Sequence, residues 1–164
     1  MTIIIKNKET LLFKNFCFKC IIGKNGLSRN KKEGDKKTPT GLFNLGELYF
    51  RKDRLKRPET LLKCIPITKK MGWCDDPNNK RNYNKLIKIP NKANHEKMYR
   101  RDSTYDLVIP IKYNFKKPKI GKGSAIFLHI TRNYKPTAGC IAIKKSDFLI
   151  LLKLINKKTK IKII

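Results

Sequence analysis

A mostly β fold with minor α, carried in one domain, is what the sequence predicts, on three observations. Short runs rich in β-branched and aromatic residues recur along the chain. Gly, Pro and Asn interrupt them every few residues, and only one apolar stretch, near the C-terminus, has helical length. At 164 residues the chain has the size of a single domain, and no repeat or linker divides it.

The elements follow in order. Thr2–Ile5 and Leu11–Ile22 read as two strands of an opening hairpin, the second alternating and stopped by Gly23. Asn25-Gly26 marks a turn, and the polar stretch Ser28–Lys37 reads as a solvated, Lys-rich loop. Thr38-Pro39-Thr40-Gly41 turns into a strand ending near Phe50. Breakers crowd the segment 51–101, which reads as a loop-rich insertion or lid, with one or two helical turns expected over His95–Tyr105. Tyr105–Tyr113 has strand character, with Pro110 arguing for an edge or a bulge. Ser124–Ile130 and Cys140–Ile143 read as buried strands flanking the loop Thr131–Gly139. Ser146-Asp147 is an N-cap signal for a C-terminal helix, and Ile161–Ile164 closes as a strand.

Composition bounds the function. Lys and Arg number 40 against 12 Asp and Glu, a net charge of +28. These cations are spread over every segment, as biased composition produces, so a solvated basic surface is the simpler reading and no specific nucleic-acid partner is expected. No helix-turn-helix pattern or aromatic-basic strand is present. No apolar run is long enough to span a bilayer, and the lysines near the N-terminus fit no export signal. Five scattered cysteines describe no disulfide scaffold and leave at least one thiol free. Cys17 and Cys20, three apart on a strand, point to opposite faces and read as structural. Asp75-Asp76 before Pro77 reads as an Asx turn, and His95-Glu96 as loop structure or a substrate contact. No metal or organic cofactor is implied.

Chemistry concentrates at His129 and Cys140, eleven residues apart at the borders of two apolar strands. A thiol attacks a carbonyl as the thiolate, and an imidazole in reach can take and return its proton. Gly139 allows a tight turn and close approach of substrate to backbone N–H groups. By itself this pair reads as a core cysteine and a structural histidine. The frame decides: strand with His, loop, Thr137-Ala138-Gly139-Cys140, strand.

That frame resembles the YkuD-type L,D-transpeptidases, in which a His and a loop precede Ser/Thr-His-Gly-Cys, an apolar residue and Arg or Asn. Here the stretch reads FLHITRNYKPTAGCIAI (Phe127–Ile143). The resemblance extends through GKNGLSRNKKEGDKKTPTGLFNL (Gly23–Leu45), GWCDDP (Gly72–Pro77), HEKMYRRD (His95–Asp102), YDLVI (Tyr105–Ile109) and GKGSAIFLH (Gly121–His129). It covers the chain from Gly23 onward and is similar to a branch without an export signal.

The resemblance implies a β-sandwich or barrel domain over residues 1–164, acting as a monomer on peptidoglycan stem peptides through a Cys thioester, as a cross-linking L,D-transpeptidase or, with water as the acceptor, an L,D-carboxypeptidase. Cys140 is then the nucleophile, His129 its base and acid, Ile130 or Thr131 the backbone carbonyl that orients His129, and the N–H groups of Gly139 and Cys140 the oxyanion donors. The sequence departs from the family pattern at Ala138, where the family has His, and at Ala142, where it has Arg or Asn; the loop is also shorter. Arg100, Arg101 and Arg132, with Thr137, are the candidate substrate contacts, because a guanidinium grips a carboxylate with two hydrogen bonds. The substrate class implies the cell envelope, with a cytoplasmic precursor or recycled peptide as the alternative. Two further functions stay open: a catalytically impaired relative that binds muropeptides, and a basic nucleic-acid-binding protein.

Overall fold

The computed structural model describes residues 1–164. Strands β1 (Thr2–Lys6), β2 (Thr10–Phe13) and β3 (Phe16–Ile21) form an antiparallel meander. The one strand expected over Leu11–Ile22 is therefore two: Lys14 turns the chain at φ 52° without a Gly or Pro to announce it. Two-residue strands β4 (Leu27–Ser28) and β5 (Thr38–Pro39) pair in parallel across the base of the Lys-rich loop. The run expected as one strand to Phe50 breaks further into β6 (Gly41–Asn44) and β7 (Leu48–Phe50).

The segment 51–101 is more ordered than its breakers imply. It contains β8 (Cys64–Pro66), β9 (Met71–Cys74), β10 (Leu86–Lys88) and β11 (His95–Lys97). The last three make a small antiparallel sheet in the order β10-β9-β11. The helical turns expected from His95 do not form, because His95, Glu96 and Lys97 pair with Cys74, Trp73 and Gly72 of β9. Pairing with a neighbouring strand overrides local propensity here.

The C-terminal third supplies β12 (Leu107–Pro110), β13 (Phe127–Ile130), β14 (Ile141–Ile143), helix α1 (Lys145–Leu154) and β15 (Lys160–Ile163). Ten strands then form one sheet, β6-β15-β1-β2-β3-β14-β13-β12-β7-β8, curled into a half-barrel with β6 and β8 as its edges. Strand β12 is interior rather than an edge; Pro110 is tolerated at its last position, where the Gly46 N–H donates to the Pro110 carbonyl at 2.7 Å. The helix begins at Lys145 with Lys144 as its N-cap and no side-chain cap bond. Ser146, the expected cap, instead donates to the Asp147 carboxylate at 3.1 Å.

Strand alternation divides the side chains between two faces. Leu48, Phe50, Leu107, Ile109, Leu128, Ile130, Ile141 and Ile143 point into the main core, where Phe148, Leu151 and Leu152 of α1 meet them. The intervening residues Tyr49, Val108, Phe127 and Cys140 pack on the other face with Trp73, Met98 and Tyr105. Trp73 and Tyr105 each meet the Phe127 ring edge-on, with centroids 5.1 and 5.6 Å apart. The candidate site residues His129 and Cys140 lie on this second face.

Candidate active site

Strands β13 and β14 are parallel neighbours, with His129 opposite Ala142 and Leu128 opposite Ile141. The pleat thus turns Phe127 and His129 of β13 and Cys140 and Ala142 toward the same side. His129 and Cys140 line one cleft of about 970 Å³ and are 7% and 9% exposed. Parallel pairing demands a return connection, and residues 131–139 provide it, pinned at Thr137, whose N–H donates to Ile22 O and whose carbonyl accepts from Lys24 N.

The turn before Cys140 depends on Gly139. Its φ is 142°, and a Cβ there would stand 2.9 Å from the Lys37 carbonyl oxygen. The Thr38 hydroxyl, fully buried, donates to Gly139 O at 2.8 Å and accepts from Gly23 N at 2.8 Å. The Thr137 hydroxyl donates to Cys140 O at 2.6 Å and accepts the Gly139 N–H at 3.1 Å. Thr137 is thus engaged by the turn, and of the two expected oxyanion donors Gly139 has its N–H occupied. The Cys140 N–H meets no hydrogen-bond acceptor of the protein.

His129 Nδ1 lies 2.9 Å from Ile130 O, an acceptor only, so Nδ1 carries the proton and Nε2 is the basic nitrogen. The imidazole stands edge-on to Tyr105, centroids 5.6 Å apart. Burial lowers its pKa to about 4. Burial pushes the Cys140 thiol up to about 12, with the Glu96 carboxylate adding to the rise and Phe127 N–H, Lys31 and Arg100 opposing it. The thiol donates to Ala125 O at 3.2 Å and accepts from Phe127 N at 3.4 Å. Both groups therefore rest neutral.

The other predicted contacts separate by environment. Arg100 is fixed: it forms a two-pronged pair with Asp102 at 2.7 and 3.0 Å, approaches Glu96 at 3.7 Å, and lies over the Tyr105 ring. Arg101 and Arg132 are exposed on the cleft rim. The 99–106 segment is held by Arg54, which donates to the carbonyls of Arg101 and Asp102 and pairs with Asp106. Ala138 and Ala142 also line the cleft, where small side chains leave open space. Cys17 is exposed and Cys20 buried on opposite faces of β3, and Asp76 accepts the N–H groups of Asn78 and Asn94 as a turn residue.

Two further residues line the cleft: Glu96, which the sequence leaves between loop structure and a substrate contact, and Lys31, which escapes the sequence reading. Glu96 reaches the cleft from β11 and accepts a hydrogen bond from the Tyr105 hydroxyl; burial raises its pKa. Its only signal is its place within HEKMYRRD. Lys31, in the loop read as solvated, is 3% exposed and lines the same cleft. Nothing in sequence separates it from the other cations.

Comparison with known proteins agrees with this architecture. The structure of Bd1075 from Bdellovibrio bacteriovorus superposes with a TM-score of 0.51 at 16% identity, a likeness of fold. The match covers 99% of this chain and 47% of that one, so the present chain spans about half its length. No curated protein sequence matches. No helix is long and apolar enough to cross a membrane. The profile of the YkuD L,D-transpeptidase catalytic domain matches residues 1–163, essentially the whole sequence, and the chain belongs to that family.

Proposed function

We propose that the chain is a cysteine acyltransferase acting on peptidoglycan stem peptides, an L,D-transpeptidase, or an L,D-carboxypeptidase when water is the acceptor. The observation that carries this reading is the shared cleft face of Cys140 and His129, with Nε2 left free by the bond from Nδ1 to Ile130 O.

The resting pair is neutral, so proton transfer accompanies attack rather than preceding it. As Sγ closes on the carbonyl of an L-residue, the thiol leaves its bond to Ala125 O and its proton passes to Nε2 of His129. The Sγ–C bond forms and the carbonyl electrons move to oxygen, beside the Cys140 N–H. Collapse breaks the C–N bond, and the departing D-residue takes the proton from His129. An amine or water then gives a proton to His129 and attacks the thioester; the C–S bond breaks, and the proton passes from His129 to Sγ, restoring the neutral pair. Desolvation in the cleft strengthens each of these charge interactions. The substrate class places the activity at the cell envelope.

A second reading, a muropeptide-binding relative without turnover, draws on Ala138 and Ala142 and on the satisfied resting thiol. Incubation with a disaccharide-tetrapeptide separates the two. The proposal expects free D-residue with a trimmed or cross-linked product, and none with Cys140→Ala. Product that persists in Cys140→Ala contradicts it, and wild-type binding without product supports the second reading.

A further inference from the structure

Lys31 is a charged group buried at a place the mechanism above leaves unused. Its stem crosses Gly123, where a Cβ would come within 2.8 Å of Cε, and its Nζ ends 3.5 Å from the Cβ position of Gly139. Nζ donates to Asp35 Oδ1 at 2.6 Å and to Lys32 O at 3.3 Å. An ammonium has three N–H groups, so one remains unspent in the cleft wall. Burying such a cation is unfavourable unless it is paired, and Asp35 is built to pair it: its carboxylate also accepts the N–H groups of Lys32 and Lys37 at 2.8 and 2.9 Å.

As Cys140 attacks, negative charge develops on sulfur while the thiol proton leaves, and that charge passes to the carbonyl oxygen; in alkylation the charge is the thiolate's alone. On the protein side, Gly139 N–H is occupied by Thr137 and Cys140 N–H is free. The charged and titratable groups facing the thiol are Glu96 from β11, Arg100 and Tyr105 from the following segment, His129 from β13, and Lys31. Glu96 opposes an anion, and Arg100 is gripped by Asp102. Lys31 alone borders the glycine that precedes the nucleophile with a donor to spare.

We propose that Lys31 is the cation that stabilises the anion formed at Cys140, the thiolate and then the oxyanion, with the Cys140 N–H as its companion donor. The ammonium keeps its proton throughout; it supplies a preorganised charge. The oxyanion part of this assignment rests on the acyl-transfer reading, whereas the thiolate part does not.

The test uses the intact protein with Lys31→Met and Asp35→Asn, the second retaining Oδ1 while removing the neutralising charge. Two readouts are taken: the pH dependence of Cys140 alkylation by iodoacetamide, followed by peptide mass, and kcat and KM for D-residue release. Lys31→Met is expected to move the alkylation profile up by about one pH unit and to lower kcat roughly 100-fold, with KM little changed. Asp35→Asn is expected to move the profile down while keeping a cooperative unfolding transition, which separates it from loss of structure, since unfolding would also lower a thiol that burial raises; it carries the test if Lys31→Met does not fold. An unmoved profile in both variants, or a rise in KM with unchanged alkylation, overturns the proposal. Opposite shifts in a wild-type background that releases no D-residue would support the thiolate role and overturn the acyl-transfer reading.

Discussion

Two loops meet at Cys140, residues 131–139 between β13 and β14, and residues 29–37 between β4 and β5. Both are polar, but the first carries one lysine and the second four. The first is fixed through its last residues: Thr137 is stitched to Ile22 and Lys24, and its hydroxyl closes the turn onto Cys140. The second is fixed from within, where Asp35 gathers Lys31, Lys32 and Lys37, and Glu33 accepts the hydroxyls of Tyr83 and Ser124. Thr38 joins them by its bond to Gly139 O. One loop sets the backbone at Cys140 and the other brings a buried charge to it, so two polar segments do different work because of where their hydrogen bonds end.

The largest expected effects fall on the first loop and its strands. Cys140→Ala should lower turnover by at least about 10⁴-fold, and His129→Ala by about 10²- to 10⁴-fold, in steady-state release of the D-residue. Equal, small losses in both would break the division between the loops. Gly139→Ala should destabilise by about 1–3 kcal/mol in a denaturant titration, since the Cβ meets the Lys37 carbonyl at a positive φ. Thr38→Val removes a donor and an acceptor from a buried site and should cost about 1–3 kcal/mol, with lowered kcat because both loops loosen.

The pH dependence of stability sharpens the same contrast. His129 is buried neutral with its pKa lowered from 6.5 to about 4, so the unfolded chain binds more protons between those values. Stability from this group is present above pH 6.5 and lost as pH falls toward 4. The Cys140 and Cys20 thiols are raised to about 12, and their contribution is lost as pH rises above 9. The denaturation midpoint should therefore decline between pH 6.5 and 4 with a slope that His129→Gln reduces. The smallest effect is expected at the rim, where Arg101→Ala should change KM no more than several-fold, because an exposed guanidinium interacts through screening solvent.

That His129 and Cys140 border neighbouring strands was legible because strand alternation and a glycine turn are written in residue types over a short distance. The paired β9–β11 sheet was not, since each strand is three or four residues long and is stabilised by a partner remote in sequence. The turn at Lys14 hid because a lysine holds the positive φ that Gly or Asn usually marks. Lys31 stayed hidden for another reason: burial is a property of the finished fold, and 40 cations dilute any single one. Gly123 and Gly139, which leave room for it, were the nearest local trace.

Intact and peptide mass spectrometry of the protein mixed with a free tetrapeptide stem tests the central claim most directly, with Cys140→Ala and His129→Ala alongside. The account expects a Cys140 thioester whose added mass equals the stem minus its terminal D-residue, absent from Cys140→Ala and strongly reduced in His129→Ala. An adduct on another residue, or D-residue release with no dependence on Cys140, would contradict it.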